Sequence, residues 1–178
     1  ATGDRVLVLE DTVELQCAAP DHVPLRTRAG VVSMTELVRS SMRLRPDRVV
    51  VGEVRGAEAL DLIKVWGTGH PGGIATIHAG SALGALLRLE QLILEVAVNP
   101  PRALIAEAVN VVIHIAGRGR KRRIESIARV VGFDGVGYRL ADGLADAMDA
   151  PFPELPPIPD AVPAVATSPS LDLSGELP

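Results

Sequence analysis

Little in this chain invites a stapled or membrane-spanning fold. It has one cysteine, Cys17, so no internal disulfide can form, and a reducing compartment is the expectation. No apolar run approaches the ~18 residues that a membrane span needs, and nothing at the amino terminus reads as a signal peptide. Together these absences predict a soluble, cytoplasmic protein. An excess of positive charge is also lacking: the formal net charge is −4, which argues against a general nucleic-acid coat, and no sequence-specific nucleic-acid binding is expected. Lysine occurs only as Lys64 and Lys121. No G-x-x-x-x-G-K-[ST] loop is present, so no lysine-bearing phosphate cradle of that kind can form from these residues. The first residue is Ala1 rather than methionine, and Asp4-Arg5 leads at once into the apolar run Val6-Leu7-Val8-Leu9. The expectation is therefore the carboxyl-terminal portion of a longer protein.

The stretch around which the rest is organised is Met42 to Gly56, where Val49-Val50-Val51 runs into Gly52 and Glu53. Three consecutive β-branched residues suit a strand covered on both faces, as in a parallel sheet. Ligands of such sheets sit beyond the strands' carboxyl ends, so Glu53 is expected to face one. Gly52 lets the backbone come close to a bound group, and Arg55 adds a fixed positive charge. The layout repeats in Val6 to Leu9, which ends in Glu10-Asp11-Thr12. A third short strand, Ile74 to His78, ends in an imidazole.

Between these strands the pattern alternates. Residues 13–32 hold short alternating pieces broken by Pro20 and Gly30, which predict a small antiparallel excursion or loop. Ser33 and Glu36 stand in capping-box spacing at the start of a helix through Leu44, with Met34, Leu37, Val38 and Met42 on one face. Arg39 and Arg43 share another face of it, and Arg45 follows; a solvated basic face is the plain alternative. A second helix spans Ala57 to Trp66. A third runs from Ala82 to about Val96 behind Ser81, with Leu83, Leu86, Leu87, Leu89, Ile93 and Leu94 facing inward for the most part. Pro100-Pro101 opens a fourth, through about Val109.

Asn110 to Ala116 and Ile124 to Phe133 read as a hairpin around the basic tip Gly117–Arg123. Here His114 is expected to point outward, and Gly135 to Leu140 can add a further strand. From Gly143 onward proline is frequent and periodicity is lost, which predicts a flexible tail over residues 143–178. The sum is an α/β domain with a mainly parallel sheet and a carboxyl-terminal β-hairpin over residues 1–142.

If the three strands are neighbours, Glu10-Asp11, Glu53 and His78 line one cleft. A carboxylate there can hold the water shell of Mg²⁺ or orient an attacking water, and arginines can neutralise charge in phosphoryl transfer. A metal-only hydrolase built on His70, His78 and Glu53 fits less well, because their spacing is not that of helical zinc motifs.

The motifs carry a resemblance. Leu9-Glu10-Asp11-Thr12-Val13-Glu14-Leu15 is similar to the aspartate box of the type II/IV secretion ATPases. Leu44-Arg45-Pro46-Asp47 through Val51-Gly52-Glu53-Val54-Arg55 resembles their atypical Walker B, and Thr68-Gly69-His70 through Thr76-Ile77-His78-Ala79 their histidine box. Order and spacing agree, and residues 1 to 140 resemble the TrbB-type conjugal transfer branch.

The resemblance implies a RecA-like P-loop NTPase fold, ATP and Mg²⁺ as cofactors, and a hexameric ring. The ring would work at type IV secretion channel components, peripheral to the cytoplasmic face of the inner membrane, driving pilus assembly or DNA and protein transfer. By the same resemblance Glu53 is the Walker B acid, acting on the Mg²⁺ shell and the attacking water. Glu10 and Asp11 support metal and water, and His78 couples the γ-phosphate to ring movement. Arg39, Arg43, Arg45, Arg55 and His70 become candidates for charge stabilisation or subunit contacts. The family's Walker A loop would lie just upstream of Val6, so the chain alone is expected to hydrolyse ATP negligibly. The alternative is a catalytically silent fragment that serves only ring assembly or binding.

Overall fold

A computed structural model describes residues 3–70 and 72–143; the tail expected at 143–178 lies outside the described residues but for Gly143. Four parallel strands form the first sheet: β1 (Val6–Glu10), β2 (His22–Arg26), β3 (Arg48–Val51) and β4 (Ile74–Ala75), in the order β2-β1-β3-β4. β1 and β3 are central, which is why their residues are so apolar: Leu7, Leu9, Val49 and Val51 are fully buried.

Helices α1 (Met34–Ser41), α2 (Glu58–Gly67), α3 (Ala82–Ile93) and α4 (Arg102–Ala108) follow in sequence. At the amino end of α1 the capping box forms as expected, with Ser33 and Glu36 each accepting from the other's backbone N–H. Ser81 caps α3 by accepting from the Gly84 N–H at 3.0 Å. Behind α4 a second sheet runs antiparallel, β5 (Val111–Ala116), β6 (Arg123–Phe133) and β7 (Tyr138–Asp142), in the order β5-β6-β7. Its inner residue Val130 joins the core cluster formed by β1, β3 and the helices, so one continuous core serves both sheets.

Several expectations need correction. The piece around Val23–Leu25 is no antiparallel excursion: it pairs parallel to β1, and the antiparallel pairing is confined to an isolated bridge between Arg28 and Val32. Alternation predicts a strand but not its direction, and the loop over 11–21 is long enough to return to the start of β1. Met42 is exposed because α1 ends at Ser41 and a short 3₁₀ turn carries the next residues outward. Leu83, Leu87 and Leu94 are exposed as well, since one helix has room for only one buried stripe, here filled by Ala82, Ala85, Leu86, Leu89 and Ile93.

His114 is also reversed. It points to the inner side, 3.2 Å from Glu125, while its neighbours Ile113 and Ile115 face out.

Candidate active site

The carboxyl ends of β1 and β3 and the segment after β4 meet. Leu9 and Val51 are partners in register, Val51 pairs with Ala75, and pairing continues past the strand ends through Gly52 N–H to the Leu9 carbonyl (2.8 Å) and Val54 N–H to the Thr76 carbonyl (2.9 Å). Thr76 Oγ1 adds a bond to the Gly52 carbonyl at 2.5 Å. Gly52 is needed for the approach. A Cβ at that position would lie 3.3 Å from Glu10 Cγ, so a side chain would push the two strand ends apart.

Over these ends lies a cleft of about 150 Å³ whose lining includes Glu10, Asp11, Thr12, Glu53, Arg55 and Thr76. Glu53 is the centre of its polar network. One carboxylate oxygen accepts a short hydrogen bond from the Arg55 guanidinium, and the other lies 3.1 Å from Nε2 of His78. Arg55 also reaches toward Asp11, at 3.5 Å, and so bridges carboxylates from two strands. The hydrogen bond from Arg55 is the main reason the Glu53 carboxyl titrates below its ordinary range, with the charges of Arg55 and His78 acting the same way against partial burial. Glu53 therefore remains a carboxylate throughout the neutral range.

Glu10 has a different job. It is buried, and its Oε1 accepts from the backbone N–H groups of Glu14 and Leu15 at 2.9 and 2.8 Å, which ties down the loop leaving β1. Asp11, one residue on, accepts from Thr27 Oγ1 at 2.7 Å and turns its other oxygen to Arg55.

One residue of this network is not marked by the motifs read from the sequence, and another, Thr76, lies in a motif that assigns it no role. Glu58 is buried, and its Oε1 accepts from the N–H groups of Arg55 and Gly56 at 2.7 and 2.9 Å, so it shapes the turn that presents Arg55. An acid in the first turn of a helix, two residues after a glycine, is the signal that could have found it. The other, Thr76, secures β4 against β3.

The structure does not bring every candidate to the cleft. His70 Nδ1 donates to the Pro46 carbonyl at 2.7 Å, beside the turn that enters β3 at its amino end. Arg43 and Arg45 flank that same turn, and Arg39 pairs with Asp61 of α2 at 3.0 Å. None of these four lines the cleft. The His70, His78 and Glu53 constellation of a metal-only hydrolase is thus not assembled, because the two histidines are held by opposite ends of the sheet.

The sequence pattern of the type II/IV secretion system protein family matches residues 1–125. The chain belongs to that family. It is 49% identical over 140 residues to a probable conjugal transfer protein TrbB of Sinorhizobium fredii, covering 79% of this chain and 43% of that protein. With the conjugal transfer protein TrbB of Rhizobium radiobacter it shares 48% identity over 133 residues, 75% of this chain and 41% of the relative. Among solved structures, the VirB11 ATPase of the Brucella suis type IV secretion system, crystallised with sulphate, superposes with a TM-score of 0.63 at 31% identity, over 72% of this chain and 42% of that one. The chain thus spans about two fifths of the length of these relatives. The secretion ATPases supply the fold and family, and within it the cleft at the ends of β1, β3 and β4 is the candidate nucleotide-facing site.

The donor set fits a hydrated magnesium ion. Glu53 and Asp11 offer carboxylate oxygens from beyond adjacent strand ends, and Thr12 is also in the lining. It fits one end of a nucleotide only, since residues 1–178 contain no glycine-lysine phosphate loop.

Proposed function

We propose that this chain is the portion of a conjugal-transfer secretion ATPase that carries the metal-and-water side of its nucleotide site. Residues 1–142 are read as a RecA-like ATPase domain without its Walker A part, and residues 143–178 as a separate tail. The full motor would be a hexameric ring at the inner membrane that couples ATP hydrolysis to a type IV secretion channel.

One observation carries the reading: Glu53 stands at the carboxyl end of a buried parallel strand, held between Arg55 and His78. Kept ionised by Arg55, Glu53 orients a water for attack by accepting its proton or its hydrogen bond. Asp11 supports the same hydration shell from β1. His78, with its ring exposed, is poised to donate to a terminal phosphate oxygen, and Arg55 can turn from the carboxylates to charge that develops in transfer. Bound Mg²⁺ would neutralise phosphate oxygens and order the waters around them.

The test is a chimera in which residues 1–143 replace the matching stretch of the Sinorhizobium fredii relative. It is expected to hydrolyse ATP, and Glu53→Gln is expected to lower the rate by about 10²-fold or more while nucleotide binding persists. A Glu53→Gln chimera that turns over at the parental rate would sink the proposal. The isolated chain is expected to hydrolyse ATP negligibly.

A second reading, a catalytically silent assembly module, draws on the missing glycine-lysine loop. It is separated from the first by the chimera: the silent module incorporates into rings of the relative, yet the chimera shows no turnover.

A further inference from the structure

The cleft at the ends of β1 and β3 is lined by the acids Glu10, Asp11, Glu14 and Glu53 and, among the described residues, by a single cation, Arg55. Asp11 gives its Oδ1 to the Thr27 hydroxyl at 2.7 Å, and Glu53 has its Oε1 beside His78 at 3.1 Å. The oxygens left to these two carboxylates are Oδ2 of Asp11 and Oε2 of Glu53. Arg55 takes both: Nη1 lies 3.5 Å from the first, and Nη2 donates to the second. A guanidinium therefore stands between the two carboxylates that fit a hydrated magnesium ion.

This bridge is anchored at its root and loose at its tip. Glu58 accepts from the N–H groups of Arg55 and Gly56 at 2.7 and 2.9 Å, which fixes the backbone, whereas the Arg55 side chain is 63% exposed. The guanidinium can leave the carboxylates by rotation about its own side-chain bonds, with the turn and the core undisturbed.

We propose that Arg55 is a resident cation that keeps divalent metal out of the Asp11–Glu53 pair until a phosphate draws its guanidinium away. The inference rests on the reading of Asp11 and Glu53 as the metal-facing pair, and adds to it how that pair is regulated.

A metal ion entering the pair has to displace two charge-assisted contacts, so its apparent affinity falls in proportion to the fraction of molecules in which Arg55 has swung off. Phosphate offers the guanidinium a bidentate partner in exchange. Bare metal is thus refused, and metal and phosphate are admitted together. A bridge with a structural role alone has the opposite signature. If Arg55 only held the carboxylates in place, its removal would weaken metal binding; as a competing cation, its removal strengthens it.

The experiment titrates the full chain with Mn²⁺ and reads affinity from the paramagnetic broadening of the Asp11, Thr12 and Glu53 amide signals. Arg55→Ala, and Arg55→Gln as a neutral variant of similar length, are each expected to bind Mn²⁺ about tenfold or more tightly than the parent chain. Arg120→Gln removes an equal charge from the turn between β5 and β6 and is expected to leave the affinity unchanged. Unchanged or weaker binding in both Arg55 variants overturns the proposal. So does an equal gain in Arg120→Gln, which would make the effect one of net charge. Adding Glu53→Gln to Arg55→Ala is expected to abolish the broadening. If Glu53→Gln weakens Mn²⁺ binding but the Arg55 variants do not strengthen it, the metal-facing pair stands and the gate alone falls. Broadening that persists undiminished in the double variant places the metal outside the pair and overturns both.

Discussion

At the scale of single residues, the site is a set of divided tasks. Glu53, Asp11 and Arg55 line the cleft and the exposed His78 reaches it only through Glu53, whereas Glu10, also on the lining, and Glu58 spend an oxygen each on backbone N–H groups of the adjoining turns. Two carboxylates adjacent in sequence, Glu10 and Asp11, thus differ in role because only one of them is buried. Replacing Glu10 by Ala strands two N–H groups and is expected to lower stability by about 1–3 kcal/mol, read as a drop in denaturation midpoint, with Glu10→Gln restoring part of it. The Arg55–Glu53 pair has a signed pH consequence. Because the folded-state pKa of Glu53 is depressed, chiefly by the bond from Arg55, the pair's contribution is fully present above the ordinary carboxylate pKa and is lost as pH falls through the lowered folded value. Arg55→Ala should return the Glu53 titration, followed by carboxyl NMR, upward toward the ordinary carboxylate range, and an unmoved midpoint would contradict the assignment.

Among elements, β4 shows how little ladder the site relies on. It has only two residues in the sheet, and the approach to it is fixed by Trp66, whose indole N–H donates to the Val49 carbonyl at 3.2 Å across Gly73. A Cβ on Gly73 would fall 2.0 Å from that indole nitrogen and 2.5 Å from the Val49 carbonyl oxygen. Gly73→Ala is therefore expected to displace Trp66, quench or shift its fluorescence, and lower the denaturation midpoint sharply. A smaller effect belongs to α1. Ser33→Ala removes one half of the capping box and is expected to cost about 0.5–2 kcal/mol in chemical denaturation, with the cleft's titration unchanged because the cap is remote from it.

On the scale of the whole molecule, one core joins the parallel sheet, the helices and the inner face of the antiparallel sheet. Leu86 of α3 is fully buried in that cluster, and Leu86→Ala is expected to destabilise by about 2–5 kcal/mol. Trp66 fluorescence and far-ultraviolet circular dichroism should then shift together, since a single cooperative unit unfolds as one. Separate transitions for the two probes would show that the second sheet is an independent unit.

What the residues alone determined was local and chemical. Apolar runs leading into acids mark the tips of β1 and β3, the Ser33 and Ser81 caps fix where α1 and α3 begin, and the three boxes fix the family, because each depends on near neighbours in sequence. The tertiary structure decided what depends on which strands lie side by side. It made β2 parallel rather than antiparallel, turned His114 inward and Ile113 outward, and gave the buried stripe of α3 to one set of apolar side chains while leaving Leu83, Leu87 and Leu94 exposed. It also set His70 at the opposite end of the sheet from His78, although both belong to one sequence box. Spacing along a chain gives periodicity and reach, but a residue's face, partner and distance from a strand tip in another segment are fixed only when the sheet order and the packed core are in place.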